Sequence, residues 1–598
     1  MITVRLLLLL LIWYLHPAFA ESLEFRHGVS QIPNYELKYG SDFKNFDYVN
    51  INAPKGGSIK MPYTWRFNSV SPIAKPYGYD FSYDKLLERS ADEISGYYCS
   101  LCESVAVSSD GLKIIFRMRA EARWHDNQPI NAEDVKFSLD TFREDFRSSW
   151  SDTLRWIESI EVTDALTVTI YTNTDASKQV PLLQGVPIIP EHYWRERDLH
   201  ASSMEPPLQS GPYRLTSAGR GKSFVYERIP DYWGSNLPIN RGLYNFDDIQ
   251  FDYYLDGTVA REALRAGEFD LWTENDLRHW VSSYEIPALK KGWLLKGKLA
   301  SGALAGSTYR LVFNTKRKPF SNLKVRAAMS YIYDYNWQNR ALHNGENKRA
   351  NSYFSNSPFA AQGLPTEAET IILEQFKGQV PDEVFDRKFF FHESTGFGID
   401  RGGLTIAIEL LNQAGYEIEN QILVDESGET LKIEFLIAEE DKKRTLIPFM
   451  RTLNLLGAQA SIRLIDQAGY ASLVKDGSFD VIINPGWIEV PPSWQLRINF
   501  HSSASHFNPG GINDPVVDAL VESSLNANDI DDFKSSVRAL DRVLLWNFYQ
   551  MPLSARGADR IIYWNKFGRP ELSSEVLLEP YPHSWWYDED KATRITNR

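Results

Sequence analysis

The chain has 598 residues, 43% of them hydrophobic and 24% charged, an ordinary globular balance at a length beyond one hydrophobic core. Two or three domains are therefore expected. A formal net charge of −14 without any basic run excludes the electrostatic footprint of a nucleic-acid or anionic-membrane binder.

Arg5 precedes an apolar run of ten residues, Leu6 to Leu15, and Ala18-Phe19-Ala20 supplies the small-x-small pattern of a cleavage site. Ten residues fall short of the roughly 20 that cross a bilayer. The reading is a signal peptide at 1–20, cut after Ala20, with no nearby Cys to take a lipid anchor and the periplasm as destination. The leader carries Arg5 and no acid, so cleavage moves the net charge from −14 to −15.

Cys99 and Cys102 are the two cysteines. A redox pair would need a thioredoxin-like setting, and a zinc site would need further ligands. A local disulfide or two buried thiols remain open. The chain also holds 17 Trp, 30 Tyr and 32 Phe, enough to furnish both cores and a cleft that stacks on ligand.

At 111–119, Leu112, Ile114, Phe116 and Met118 alternate with Lys113, Arg117 and Arg119, the period of a half-buried strand. After the turn at 125–129, Asn131 reads as a helix N-cap with Asp134 as its capping-box acid, and Val135, Leu139 and Phe142 form the buried stripe. Strands follow at 165–172 and 223–229, then a helix at 259–267 stopped by Gly267. Ser321 is expected to cap the next helix, whose inner face is Val325, Ala328, Met329 and Ile332. Residues 343–370 and 376–402 read as insertions or long loops.

The clearest pattern lies at 430–483, with strands at 431–437, 460–464 and 479–483 and helices at 446–456 and 470–475 between them. Alternating strands and helices predict a parallel sheet with right-handed crossovers. Ligands of such sheets bind beyond the carboxyl ends of the strands, which points to a loop at Asn484-Pro485-Gly486-Trp487.

A secreted hydrolase is the rival class, but neither a G-x-S-x-G elbow nor an H-E-x-x-H helix occurs. Residues 219–223 lack the leading glycine of a phosphate loop, and Gly396-Phe397-Gly398 lacks the third glycine of a dinucleotide fingerprint. His501 and His506, five apart, do not share a helical face and read as a solvated loop. No catalytic residue, metal or cofactor is expected.

Several blocks carry a resemblance. Gly111–Arg119, Ala122-Arg123-Trp124-His125-Asp126 and Pro129–Val135 open it. Ser210-Gly211-Pro212-Tyr213-Arg214 and Asp231-Tyr232-Trp233-Gly234 continue it, followed by Phe313-Asn314-Thr315, Pro319-Phe320, Val325–Ala328, Leu410–Tyr416 and Asp514–Leu520. In this order they resemble family 5 extracellular solute-binding proteins, the oligopeptide- and nickel-binding group. Asp42–Asn50, Ala53–Gly57 and Arg560–Pro570 are similar to its YejA-like branch, which is associated with oligopeptides and a peptide-nucleotide antibiotic.

The resemblance implies an α/β, two-lobed periplasmic-binding-protein fold (type II) in three parts, one lobe being assembled from both chain ends. The lobe I core would comprise 21–58, 205–310 and 550–598, its extra subdomain 59–204, and lobe II 311–549. The chain would cross the hinge near 305–315 and return near 545–555. The implied function is capture of oligopeptides or peptide-containing compounds by hinge closure, as a monomer serving an ABC permease pair and its ATPase. A nickel complex, haem or sugar as ligand, or a sensing role, is left open.

In the family, the loop after the first strand lines the cleft, here Trp65-Arg66-Phe67-Asn68-Ser69. The strand-end rule and the family together indicate Asn484, Trp487 and Glu489 on the second lobe. Arg310 and Arg497 are candidate anion partners. Related oligopeptide binders hold the ligand amino group with an Asp near this loop. Between 481 and 500 this chain offers only Glu489.

Overall fold

Element boundaries follow the chemistry at their ends. The structure, a computed structural model, describes residues 23–596 except 77, 149, 301, 303, 505–507 and 556. The leader with its cleavage position and His506 lie outside the described residues. Asn131 caps the helix Ala132–Glu144: its side chain accepts from the Glu133 and Asp134 amides, and Asp134 accepts from the Asn131 amide at 3.0 Å. The second Asp134 oxygen accepts from the Glu191 amide, which ties the helix start to the segment beside it. Val135, Leu139 and Phe142 are fully buried, as their spacing requires. Gly267 ends the helix Gly257–Ala266 in the left-handed region at φ +83°.

Some boundaries differ from expectation; the helix Glu367–Glu374, for one, interrupts a stretch that read as loop. Leu112 is exposed, because the strand begins at Lys113. The helix Leu323–Ile332 is capped by Asn322, whose carboxamide oxygen accepts from the Lys324 amide; Ser321 lies one residue too early to reach it. The expected loop at 484–487 belongs to a strand that runs on to Glu489.

Eight strands frame the site: β1 (Leu271–Thr273), β2 (Leu294–Leu299), β3 (Leu304–Phe313), β4 (Lys432–Ile437), β5 (Gln459–Leu464), β6 (Val481–Glu489), β7 (Gln550–Pro552) and β8 (Asp559–Trp564). The helices used below are α1 (Leu277–Ser282), α2 (Tyr335–His343), α3 (Lys443–Leu455), α4 (Gln495–Phe500) and α5 (Pro515–Leu525). Strands β5, β4 and β6 are mutually parallel, the predicted crossover pattern. The sheet then turns mixed, in the order β5-β4-β6-β3-β7, because β3 runs antiparallel to both β6 and β7. Val481–Ile483 and Phe435–Ile437 are buried on both faces of this sheet and read as apolar runs, while the start of β4 alternates, with Lys432 exposed and Ile433 buried.

The largest apolar core packs against this sheet and draws on residues 305–553, with Ile32 from the N-terminal segment inserted into it. A three-stranded sheet places β8 between β1 and β2, so residues near the C-terminus complete a layer begun before residue 300. A four-stranded sheet, Ser58–Tyr63, Asp248–Tyr253, Ser223–Arg228 and Tyr213–Ala218, shares a core with residues 561–585. A separate core at 79–199 covers the sheet that holds the strand Lys113–Met118. Within it, Cys99 and Cys102 form a disulfide, both sulfurs buried, which decides between the two alternatives.

Replacing Asn131 by Ala strands the first-turn amides of its helix. The expected loss is about 1 kcal/mol, read as a lower urea midpoint, with Asn131→Asp close to the parent protein.

Candidate functional site

Strand β3 cannot pair regularly along its whole length. Ser307 faces Gly486, yet Arg310 faces Asn484, so β3 carries one extra residue against β6. Such a bulge turns side chains out of the pleat. The Thr308 amide donates to Ser554 O and the Leu553 amide to Tyr309 O, which anchors the bulge on the other side. Next to it, Gly306 sits at φ +99°, and a Cβ there would lie 2.2 Å from the Gly486 carbonyl oxygen. Only glycine fits this crossing.

Thr308 and Tyr309 thereby line two chambers at once. The outer one, about 740 Å³, has Trp487 and Pro485 of β6 on one wall. Glu274, Asn275, Lys298 and Arg560 stand on another, with Glu346 and Lys348 nearby. The inner one, about 330 Å³, is walled by Asp276 and Arg278, by Gln338, Asn339 and His343 of α2, and by Lys442 and Arg444. Asn275, Thr308, Tyr309, Asn347 and Arg560 border both. Each chamber thus has walls from the β1–β2–β8 side and from the five-stranded sheet and its helices.

Strand β6 alternates at this point. Pro485, Trp487 and Glu489 are exposed, while Gly486, Ile488 and Val490 are buried, so Trp487 and Glu489 project on one open face. Trp487 is 42% exposed and lines the outer chamber. Arg310 and Asn484 lie deeper and wall neither chamber. Arg310 is 7% exposed; it donates to Asn499 Oδ1 at 2.9 Å, and its Nε has no hydrogen-bond partner. Burial with no nearby carboxylate pulls its pKa down to about 10. Asn484 accepts a hydrogen bond from the Tyr470 hydroxyl at 2.8 Å.

The remaining sequence candidates are placed elsewhere. Trp65 is 73% exposed, and Phe67 packs beside the rings of Tyr63 and Phe224. Arg66 donates to the Tyr253 hydroxyl, and the Asn68 carbonyl accepts from the Ser202 hydroxyl. This loop walls neither chamber. Arg497 makes a two-pronged ion pair with Glu522, at 2.9 and 2.6 Å, and borders a separate cavity that includes Lys178 and Trp494.

Sequence reasoning missed Asn275, Tyr309, Lys348, Arg444 and Arg560. Tyr309 comes into play through the bulge, which no periodicity announces. Arg560 opens a block noticed only for its resemblance; its position at the start of β8 brings it to the cleft.

The inner chamber leans positive. Burial, aided by Arg278, Arg560 and Arg444, lowers the His343 pKa and so favours its neutral form. Burial also opposes the charge on Lys442, but the Tyr309 hydroxyl, Glu439 and Asp441 outweigh it and raise that pKa. Arg560 is pulled down by burial, partly offset by Glu346 and Asp559. Among the described residues no group of three or more His, Cys, Asp or Glu side chains could hold a metal ion.

Replacing Gly306 by Ala would force a side chain into the β3–β6 crossing at a positive φ. The expected cost is about 2 kcal/mol or more, visible in chemical unfolding, together with weaker ligand binding because both chambers border the bulge.

The family model for bacterial extracellular solute-binding proteins, family 5, matches residues 97–507. The chain is 34% identical to the uncharacterized protein YejA of Escherichia coli K12, over 99% of this chain and 98% of that one. It is 33% identical to the probable peptide-binding protein YejA of Agrobacterium fabrum, over 94% of each. Its fold is similar to the oligopeptide-binding protein AppA of Bacillus subtilis, solved with a nonapeptide, at TM-score 0.65 and 15% identity; the match covers 90% of this chain and all of that one. The architecture is therefore the α/β type II periplasmic-binding-protein fold, and the chain belongs to the family 5 bacterial extracellular solute-binding proteins.

Proposed function

We propose that this protein is the periplasmic capture subunit of an ABC importer. It takes oligopeptides or peptide-containing compounds into the two joined chambers and does no chemistry on them. The observation that carries this reading is the pair of chambers itself, meeting at Tyr309 and Arg560 and walled from both sides of β3. An elongated, mixed polar and aromatic cleft suits an extended chain. Main-chain groups give affinity there with little sequence preference, while pockets take side chains.

Function follows from closure. β3 and β7, neighbours in one sheet, carry the chain across and back, and rotation about them opens and closes the cleft. Trp487 stacks on the ligand in the outer chamber, Glu346 on its wall meets an amino group, and Arg560 meets an anionic group at the junction; Glu489 shares the exposed face of β6 with Trp487 but lines neither chamber. The closed form docks on a permease pair driven by an ATPase, and the protein acts as a monomer. The leader at 1–20 delivers it to the periplasm with cleavage after Ala20. The Cys99–Cys102 disulfide suits that oxidising compartment.

Two measurements test this reading. Native mass spectrometry of protein purified without refolding should show a bound peptide-like molecule, and short peptides should raise the melting temperature of the emptied protein. Stabilisation by nickel, haem or a sugar but by no peptide would overturn the peptide assignment, and turnover of a bound peptide would overturn the binding role. Trp487→Ala should weaken binding by about 1–3 kcal/mol in calorimetry while leaving the unfolding midpoint nearly unchanged, since the ring is 42% exposed.

A further inference from the structure

The two chambers differ in how their charges are compensated. In the outer one, Lys298, Lys348 and Arg560 face Glu274, Glu346 and Asp559. In the inner one, Arg278, Lys442, Arg444 and Arg560 face only Asp276 and Asp441.

Both of those acids are already engaged. Asp276 accepts from Arg278 Nε at 3.1 Å, and its other oxygen from the same guanidinium. Asp441 lies 3.3 Å from Lys442 Nζ. Arg444 and Arg560 are left without an ion pair to any acid among the described residues. The Arg560 Nε, moreover, is buried with no hydrogen-bond partner. His343 adds a ring, favoured in its neutral form, to the same wall.

We propose that the inner chamber is a subsite for a dianionic ligand end, a pair of carboxylates such as those of a peptide ending in an acidic residue. This rests on the peptide reading above and names the ligand class within it. Arg560 comes from β8 and Arg444 from α3, on opposite sides of the cleft, so two separated carboxylates match two separated guanidiniums. The arrangement also ties charge to closure. Arg444 and Arg278 are exposed as the cleft stands, and closure that brings uncompensated cations together is unfavourable until an anion enters between them. The ligand end that neutralises them thereby favours the closed form.

The test uses the full mature protein, emptied of ligand, and calorimetry with four probes. These are tri-alanine amide, tri-alanine, Ala-Ala-Glu and Ala-Ala-phosphoserine amide. Ala-Ala-Glu should bind at least about tenfold tighter than the amide, with tri-alanine between them and the preference falling as salt rises. Arg444→Gln and Arg560→Gln should each reduce that preference to under about threefold. Both should keep the parent unfolding midpoint, which shows that the variants remain folded. Equal affinities for the amide, tri-alanine and Ala-Ala-Glu, or an undiminished preference in both variants, would overturn the subsite while leaving the peptide reading intact. Tighter binding of the phosphoserine probe than of Ala-Ala-Glu would replace the carboxylate pair with a phosphate. Failure of all four probes to bind would remove the peptide reading and the subsite together.

Discussion

The crossing of β3 over β6 sets the conditions for the rest of the cleft. At Gly306 and Gly486 the two strands approach so closely that a methyl group at 306 would run into a carbonyl oxygen. The close contact keeps β3 and β6 paired up to the point where their register breaks. Immediately beyond it, the ladder cannot hold its register, and the extra residue of β3 is released as a bulge. That bulge delivers Thr308 and Tyr309 to both chambers. A regular strand here would keep the pleat, with alternate side chains held against the core.

From this crossing the division of labour along β6 follows. Its first residues, Val481 to Ile483, are buried and hold the sheet to its helices. Its last residues alternate, so Trp487 and Glu489 reach the open face while Ile488 and Val490 keep the strand anchored. Rigid pairing thus supports exposed groups, the arrangement by which a preformed cleft avoids ordering its own side chains when ligand arrives. Electrostatics then divides the space. Acids and bases are balanced in the outer chamber and unbalanced in the inner one, and under the proposed reading the two chambers would meet different chemical ends of one ligand.

Much of this fold was legible in the sequence, because local rules and packing agreed. Asn131 with Asp134, Gly267, and the alternation at 431–437 each specify an element through a mechanism that acts within a few residues. The small misses were of the same local kind: Asn322 displaced Ser321 as cap by one position. The site was harder. The strand-end rule led to the right strand and to Trp487, but it expected a loop where β6 continues to Glu489. Asn484, indicated by the same rule, and Arg310, a candidate anion partner, wall neither chamber and are engaged with Tyr470 and Asn499. Arg444 and Arg560 lie more than a hundred residues apart and meet only through the fold. No spacing in the chain could pair them.

The central claim is that ligand occupies the two chambers on either side of the β3 bulge. A crystal structure of the protein with its co-purified ligand tests this most directly. The account predicts continuous ligand density from the Trp487 ring past Tyr309 to the Arg560 and Arg444 guanidiniums. Density confined to another cavity, such as the one beside Phe389 and Trp546, with both chambers holding only water, would contradict it.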